Sequence, residues 1–187
     1  MENLGVQSRF SEVARQVPIV VAASLVIALC ARICIPLPFT PVPLTLASFA
    51  VVAVGLLLGG KRGFAAATLY LANGAAGMPV FSPFGPGGIA QLLGPVGGYL
   101  TAYPLVAFVA GVLVTRLGRG LMAKLVAAAI AELVLFTFGI SWLMIWTHVS
   151  VSQALDFGMY PFAFGEVIKM MGAAGIANKL SLDMSER

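Results

Sequence analysis

The sequence predicts an all-α membrane protein, a bundle of six transmembrane helices with structured outer loops. It also predicts one integral membrane domain over residues 1–187. Apolar residues make up 60% of the chain and charged residues only 10%, whereas soluble domains average roughly 25% charged residues. The apolar residues fall into runs separated by polar, glycine-rich or proline-rich breaks. Such runs are expected of helices that are surrounded by lipid.

Each predicted span is one of these runs. Residues 1–17 form a polar segment, and Pro18 suits the first turn of the helix that follows. Several runs are short for a full crossing, so tilt or local thinning of the bilayer is expected. The predicted spans cover residues 18–35, 44–58, 64–76, 97–115, 121–146 and 161–180.

The breaks between the runs carry helix-terminating residues. Prolines recur at alternate positions in residues 36–43, where they remove N–H donors and fix φ, so this segment cannot be helical. Residues 59–63 and 116–120 are predicted to be tight turns. Residues 77–96 form a long loop rich in glycine and proline.

Basic residues predict the orientation of the bundle. With six spans both termini share one side, and nine of the eleven Lys and Arg residues fall on that side. The positive-inside rule then places both termini in the cytoplasm. The excess of basic over acidic residues is therefore explained by membrane topology, and it does not indicate a nucleic-acid partner. The nine are Arg9, Arg15, Lys61, Arg62, Arg116, Arg119, Lys124, Lys179 and Arg187.

Charged residues at membrane depth are functional candidates because burying them is costly. Glu166 and Lys169 are three residues apart and share one face of the last span. They predict either the polar end of a ligand pocket or a structural ion pair. Glu132 lies mid-span, facing the bundle or pairing with another helix. Arg32 and Asp156 lie near a membrane end. For these two residues a functional role and snorkelling, in which the charged group simply reaches the water at the membrane surface, are equal alternatives.

The long loop is predicted to pack on protein or to line a cavity. Irregular backbone is tolerated at membrane depth only in those settings, and the apolar content of residues 81–93 argues against a freely solvated loop. Gln91 and Tyr99 follow with donors and acceptors for a ligand. The alternative is a flexible periplasmic loop.

Small residues predict close helix packing. Gly55, Gly59 and Gly63 repeat every four residues, which is typical of helix crossings in lipid. Ser24 and Ala28 repeat in the same way on the first span. They predict internal packing or a docking face for another membrane subunit. The chain contains no constellation of catalytic residues, and Cys30 and Cys34 are best explained as small apolar residues on one helix face.

Five motifs stand out: Ile35–Thr45, Gly55–Gly63, Gly77–Phe81, Gly94–Tyr99 and Gly165–Lys169. Together they resemble the BioY family, whose members are substrate-capture (S) subunits of energy-coupling factor (ECF) transporters for biotin. They occur in order over about three quarters of the chain. Two positions depart from the family pattern: Val96 replaces a usual threonine, and Glu166 replaces a usual aspartate.

The resemblance implies a multi-pass protein of the cell membrane that binds biotin from outside and is not an enzyme. It implies a membrane coupling subunit and two cytoplasmic ATPases as partners, with no cofactor or metal. Lys169 is the cation best placed for the biotin carboxylate, and Ser24 and Ala28 are the expected docking residues. The expected substrate-binding residues are Lys169, Glu166, Gln91, Tyr99, Ser82, Phe39 and Thr45.

Two other functions compete with this one. A stand-alone secondary transporter of a small vitamin-like substrate would need a relay for a coupling ion. Glu132 is the only mid-span carboxylate available for that relay. An intramembrane enzyme is disfavoured, since the sequence offers no set of catalytic residues.

Overall fold

The computed structural model describes residues 2–118 and 120–185, with side chains over residues 15–118 and 120–181. Within these ranges the chain forms eight helices and one hairpin of two short strands. The elements are α1 Glu2–Arg32, β1 Cys34–Ile35, β2 Leu44–Thr45, α2 Ala47–Leu58, α3 Gly60–Ala75, α4 Gly88–Leu92, α5 Gly97–Leu117, α6 Leu121–Thr147, α7 Val151–Gly158 and α8 Ala163–Ser185.

Three helices of the described chain are long and apolar enough to cross a membrane: the Arg15–Arg32 part of α1, α5 and α6. The α2 helix is apolar but has only 12 residues, which is about 18 Å at 1.5 Å per residue. The α8 helix is long enough, but the part of it whose side chains are described contains three charged residues, Glu166, Lys169 and Lys179. The structure is thus a helical membrane protein, while six full crossings remain to be tested.

Helix α1 differs from the predicted first span at its beginning. It starts at Glu2, so the described part of the polar segment 1–17 is helical and continuous with the span. Pro18 lies inside this helix, and the prediction that it occupies a first turn is wrong. A membrane helix tolerates such a proline because local adjustments compensate for the missing N–H donor.

The proline-rich segment 36–43 is non-helical, as predicted, and closes a small antiparallel hairpin. Cys34 pairs with Thr45 and Ile35 with Leu44. The Thr40 hydroxyl donates a 2.6 Å hydrogen bond to the Phe157 carbonyl of α7. The segment is therefore attached both to its own flanking strands and to α7.

Close packing at α5 explains most of the glycine repeat. A Cβ atom at Gly55 would overlap the Ala107 backbone, and one at Gly111 would overlap the backbone around Gly60. A Cβ at Gly63 would lie only 3.1 Å from the Gly55 Cα. The packing prediction is confirmed for Gly55 and Gly63. Gly59 lies in the same crossing, since a Cβ at Gly111 would also overlap its backbone, and its φ of +81° lets it reverse the chain between α2 and α3.

Basic residues predicted to be cytoplasmic lie at one end of the bundle because successive long helices alternate in direction. Arg119 and Arg187 fall outside the described residues, and so does the side chain of Arg9. Lys124 is only 3% exposed, and its amine donates to the Asn178 Oδ1 at 3.1 Å and the Ser181 Oγ at 2.7 Å. It therefore links α6 to α8, and which side of the membrane this end faces stays a prediction.

Candidate functional site

A cavity of about 70 Å³ lies at the end of the bundle where the hairpin, the 77–96 loop and α7 meet. Its walls are mostly apolar and come from all eight helices, the β2 strand and the loops. The lining residues are Ala31, Val42, Pro43, Leu44, Thr45, Ala47, Ser48, Tyr70, Ser82, Gln91, Val96, Tyr99, Leu100, Tyr103, Leu135, Phe136, Gly158, Phe162 and Glu166.

The polar wall of the cavity is built on a buried ion pair. The Lys169 amine lies 2.7 Å from the Glu166 Oε1, and the two side chains are 8% and 9% exposed. The amine also donates to the Thr45 carbonyl at 2.6 Å and to the Ser48 Oγ at 3.2 Å. An ammonium group has three donors, so the protein itself occupies all of them.

Glu166 retains hydrogen-bonding capacity that Lys169 lacks. Its Oε2 accepts a 3.1 Å hydrogen bond from the Ser48 hydroxyl, and its Oε1 accepts one from Lys169. A carboxylate offers about four acceptor positions, so further donors can be accommodated. Glu166 lines the cavity whereas Lys169 is not among the lining residues. The ion pair is therefore observed, and its Glu166 member lines the cavity. The interpretation of the pair as the polar end of a ligand pocket stays a prediction.

The outer wall of the cavity is the 77–96 loop, which is held by side-chain contacts. Gln91 is 3% exposed; its amide nitrogen donates to the Ser82 carbonyl at 3.5 Å, and its amide oxygen accepts from the Gly87 N–H at 3.2 Å. The Ser82 Oγ lies 3.1 Å from the Cys34 Sγ of the hairpin. The prediction of a packed loop that lines a cavity is confirmed.

Tyr99 connects the first turn of α5 to α7. Its hydroxyl donates a 2.8 Å hydrogen bond to the Gly158 carbonyl. Its ring lies so close to Gly139 that a Cβ there would overlap it. The indole N–H of Trp142, which the sequence did not single out, donates to the Gly94 carbonyl at 2.8 Å. These bonds hold two connecting segments over the cavity.

The remaining residues that the sequence singled out differ in exposure and in whether they line the cavity. Thr45 lines the cavity, and its hydroxyl accepts from the Ala47 N–H at 3.3 Å. Phe39 is 59% exposed and is not among the lining residues. Arg32 is exposed and donates to the Pro79 and Phe81 carbonyls at 3.3 and 3.4 Å, beside Ser82. Asp156 is exposed on α7.

Three polar side chains in the lining were missed by sequence reasoning: Ser48, Tyr70 and Tyr103. Tyr70 is 1% exposed, and its hydroxyl has no hydrogen-bond partner among the described residues. Its ring packs edge-on against Phe81, with centroids 5.3 Å apart. A buried hydroxyl without a partner in a cavity wall can bind a ligand. The two tyrosines could have been identified from the sequence, because each is a polar hydroxyl within an apolar span.

Ser24 and Ala28 lie on the inner face of α1, only 3% and 8% exposed. Helix α1 packs against α2 and α3 of the same chain. This burial favours the internal-packing alternative. Docking of a partner at these two residues would require α1 to move away from its neighbours.

Comparison with known proteins places this geometry in a family. A family model described as "BioY family" matches residues 2–185. The chain is 41% identical over 140 residues to a probable biotin transporter BioY of Pyrococcus horikoshii, covering 75% of this chain and 81% of the relative. It is 37% identical over 147 residues to the biotin transporter BioY of Thermotoga maritima, covering 78% and 85%.

A solved structure shares the fold. The crystal structure of the S-component for biotin from an ECF-type ABC transporter superposes with a TM-score of 0.83 and 25% sequence identity. The match covers 91% of this chain and 93% of the other. The helices and the loops that enclose the cavity thus belong to one architecture over almost the whole described chain.

Proposed function

This chain belongs to the BioY family, and from that membership we propose that it binds biotin and takes it up as the S component of an ECF-type ABC transporter. It is a membrane transport protein and not an enzyme. The observation that carries the proposal is the cavity with mostly apolar walls and the buried Glu166 carboxylate in its lining. Apolar walls with a few placed polar groups suit a small vitamin.

The arrangement of donors and acceptors favours one orientation of biotin. The urea of biotin carries two N–H donors, and Glu166 is a lining carboxylate with free acceptor positions. The Tyr70 hydroxyl lacks a partner in the described chain and can donate to the urea carbonyl. Lys169 has no free donor for the biotin carboxylate. We therefore place the urea at Glu166 and the carboxylate toward the 77–96 loop, which Arg32 contacts through the Pro79 and Phe81 carbonyls.

The size of the cavity implies that a wall moves when biotin enters. The cavity measures about 70 Å³, whereas sites for drug-sized ligands measure about 300–1,000 Å³. The 77–96 loop is the wall best suited to move. Besides the packing of Phe81, it is tied to the bundle by hydrogen bonds from two side chains, Arg32 to the Pro79 and Phe81 carbonyls and Trp142 to the Gly94 carbonyl. Biotin would displace this loop outward and then be enclosed by it.

The remaining features of the proposal follow from family membership and charge placement. We propose six crossings, with both termini in the cytoplasm and the cavity at the outer end. The partners are a membrane coupling subunit and two cytoplasmic ATPases. This chain has no phosphate-binding loop: Gly55–Lys61 has the spacing of one, but Arg62 follows where serine or threonine is required. ATP hydrolysis would come from the partners.

A stand-alone secondary transporter is the second candidate, because Glu132 is buried at membrane depth. Uptake into vesicles with and without ATP-hydrolysing partners separates the two. Uptake that requires the partners and ATP supports the S-component role. Uptake driven by an ion gradient through this chain alone supports the alternative.

Calorimetric titration of biotin into the purified protein in detergent tests the binding proposal. Glu166→Gln keeps the shape of the side chain but removes its charge, and should weaken binding by about 10–150-fold, the worth of a charge-assisted hydrogen bond. Asp156→Asn removes an exposed carboxylate on α7 and should leave affinity unchanged. Equal affinity of the parent and Glu166→Gln would contradict the proposed site.

A further inference from the structure

Glu132 is a buried acid that the biotin site does not use. It lies on α6 and is 4% exposed, and neither carboxylate oxygen has a hydrogen-bond partner among the described residues. Leu135 and Phe136, one turn closer to the outer end of α6, line the cavity. Glu132 therefore lies just beneath the cavity wall. Buried polar groups without a partner are rare in folded proteins and call for an explanation.

The groups that face Glu132 include one cation, which is already paired. Helix α6 packs against α2, α5, α7 and α8. Glu166 and Lys169 of α8 and Tyr103 of α5 interact electrostatically with Glu132. The α2 helix carries no titratable residue, and Asp156 of α7 is exposed to the outside.

Charge counting around the cavity indicates the state of Glu132. Glu166 and Lys169 form a neutral pair at 2.7 Å. An ionised Glu132 would add a negative charge that nothing in the described surroundings compensates. Isolated charges in an apolar interior are far more costly than the neutral acid. The structure therefore accommodates a neutral, protonated Glu132, whereas an ionised Glu132 would be a buried charge without a counter-ion and would destabilise it.

We propose that the proton on Glu132 is a co-ligand of the biotin site, so that this acid must be protonated for biotin to bind tightly. The inference rests on the proposed function. Biotin places the uncharged urea end of the ligand in the cavity above Glu132 and expels water from it, and this loss of solvation opposes ionisation of the acid. If the empty protein has released the proton to water, biotin binding takes one proton back. Proton binding and biotin binding then strengthen each other, as linkage requires.

The test is the pH dependence of biotin affinity on purified protein, from about pH 6, where the biotin carboxylate is already ionised, to about pH 10. The dissociation constant of the parent should be constant at low pH and then rise by up to about tenfold per pH unit, the limit for one linked proton. Glu132→Gln, a permanently neutral isostere, should bind with the low-pH affinity of the parent over the whole range. His148→Gln removes an exposed titratable group and should keep the parental profile.

A second measurement uses the parent alone, in case Glu132→Gln does not fold. Calorimetry in buffers of different ionisation enthalpy, on the rising part of the profile, should show uptake of about one proton per biotin. A parental profile that is flat, or a slope that persists in Glu132→Gln, overturns the inference while biotin binding stands. Loss of affinity in Glu132→Gln at low pH also overturns it. Absence of biotin binding at every pH would instead refute the proposed function, and this inference with it.

Discussion

Replacing Lys169 by methionine tests whether this lysine serves the protein or the ligand. The amine makes three hydrogen bonds, to Thr45, Ser48 and Glu166, and the side chain is 8% exposed. Methionine fills a similar volume without charge, so Glu166 would remain buried without its counter-ion. Breaking a buried pair in this way costs about 3–5 kcal/mol. We expect a corresponding loss of unfolding free energy, with the Ser48 contact to Glu166 retained.

The ligand assay compares biotin with biotin amide, which lacks the carboxylate charge. If Lys169 only positions Glu166, Lys169→Met should weaken both ligands by the same factor, because both carry the urea. The sequence-based expectation that Lys169 binds the carboxylate predicts instead that biotin weakens while biotin amide does not. That second pattern would refute the orientation argued from the structure. Lys124→Met removes a buried lysine at the other end of the bundle, and should destabilise the fold without changing affinity.

Four further predictions concern other parts of the molecule. Tyr70→Phe removes a hydroxyl without a partner in the described chain; it should leave thermal stability unchanged and weaken biotin binding by about 2–10-fold, as expected for one hydrogen bond. Gly111→Ala should lower the melting temperature, because its Cβ would overlap the α2–α3 turn, whereas Gly175→Ala, which meets no atom within 4 Å, should not. A cysteine at Arg187 should resist an impermeant thiol reagent in intact cells if the termini are cytoplasmic. Ser24→Leu should destabilise the isolated chain if Ser24 only packs internally, and should spare biotin binding but impair ATP-driven uptake if a partner docks there.

The helices were largely predictable because their apolar residues are contiguous. Predicted and observed ends of α5 and α6 agree within two residues, since glycines and basic residues interrupt the apolar runs there. Helix α7 was not predicted because it is short and lies in a polar connection. The capping box of Ser150 and Gln153 was a usable signal, because serine followed by glutamine three residues later favours a helix start.

Some residues of the candidate site could be predicted from the sequence, but the hydrogen bonds between them could not. Spacing alone placed Glu166 and Lys169 on one helix face, and the structure shows the ion pair. Spacing could not show that Thr45 and Ser48, more than a hundred positions earlier in the chain, occupy the remaining donors of Lys169. Nor could it show that the Tyr70 hydroxyl faces the cavity without a partner. These features depend on contacts between helices, which local patterns do not encode.

An experimental structure of this protein with biotin bound would test the central claim most directly. The account predicts biotin in the cavity next to Glu166, with a urea nitrogen donating to the Glu166 carboxylate and the biotin carboxylate toward the 77–96 loop. The ion pair of Glu166 with Lys169 should remain intact. Biotin bound outside this cavity, or bound with its carboxylate on the Lys169 amine, would contradict the account.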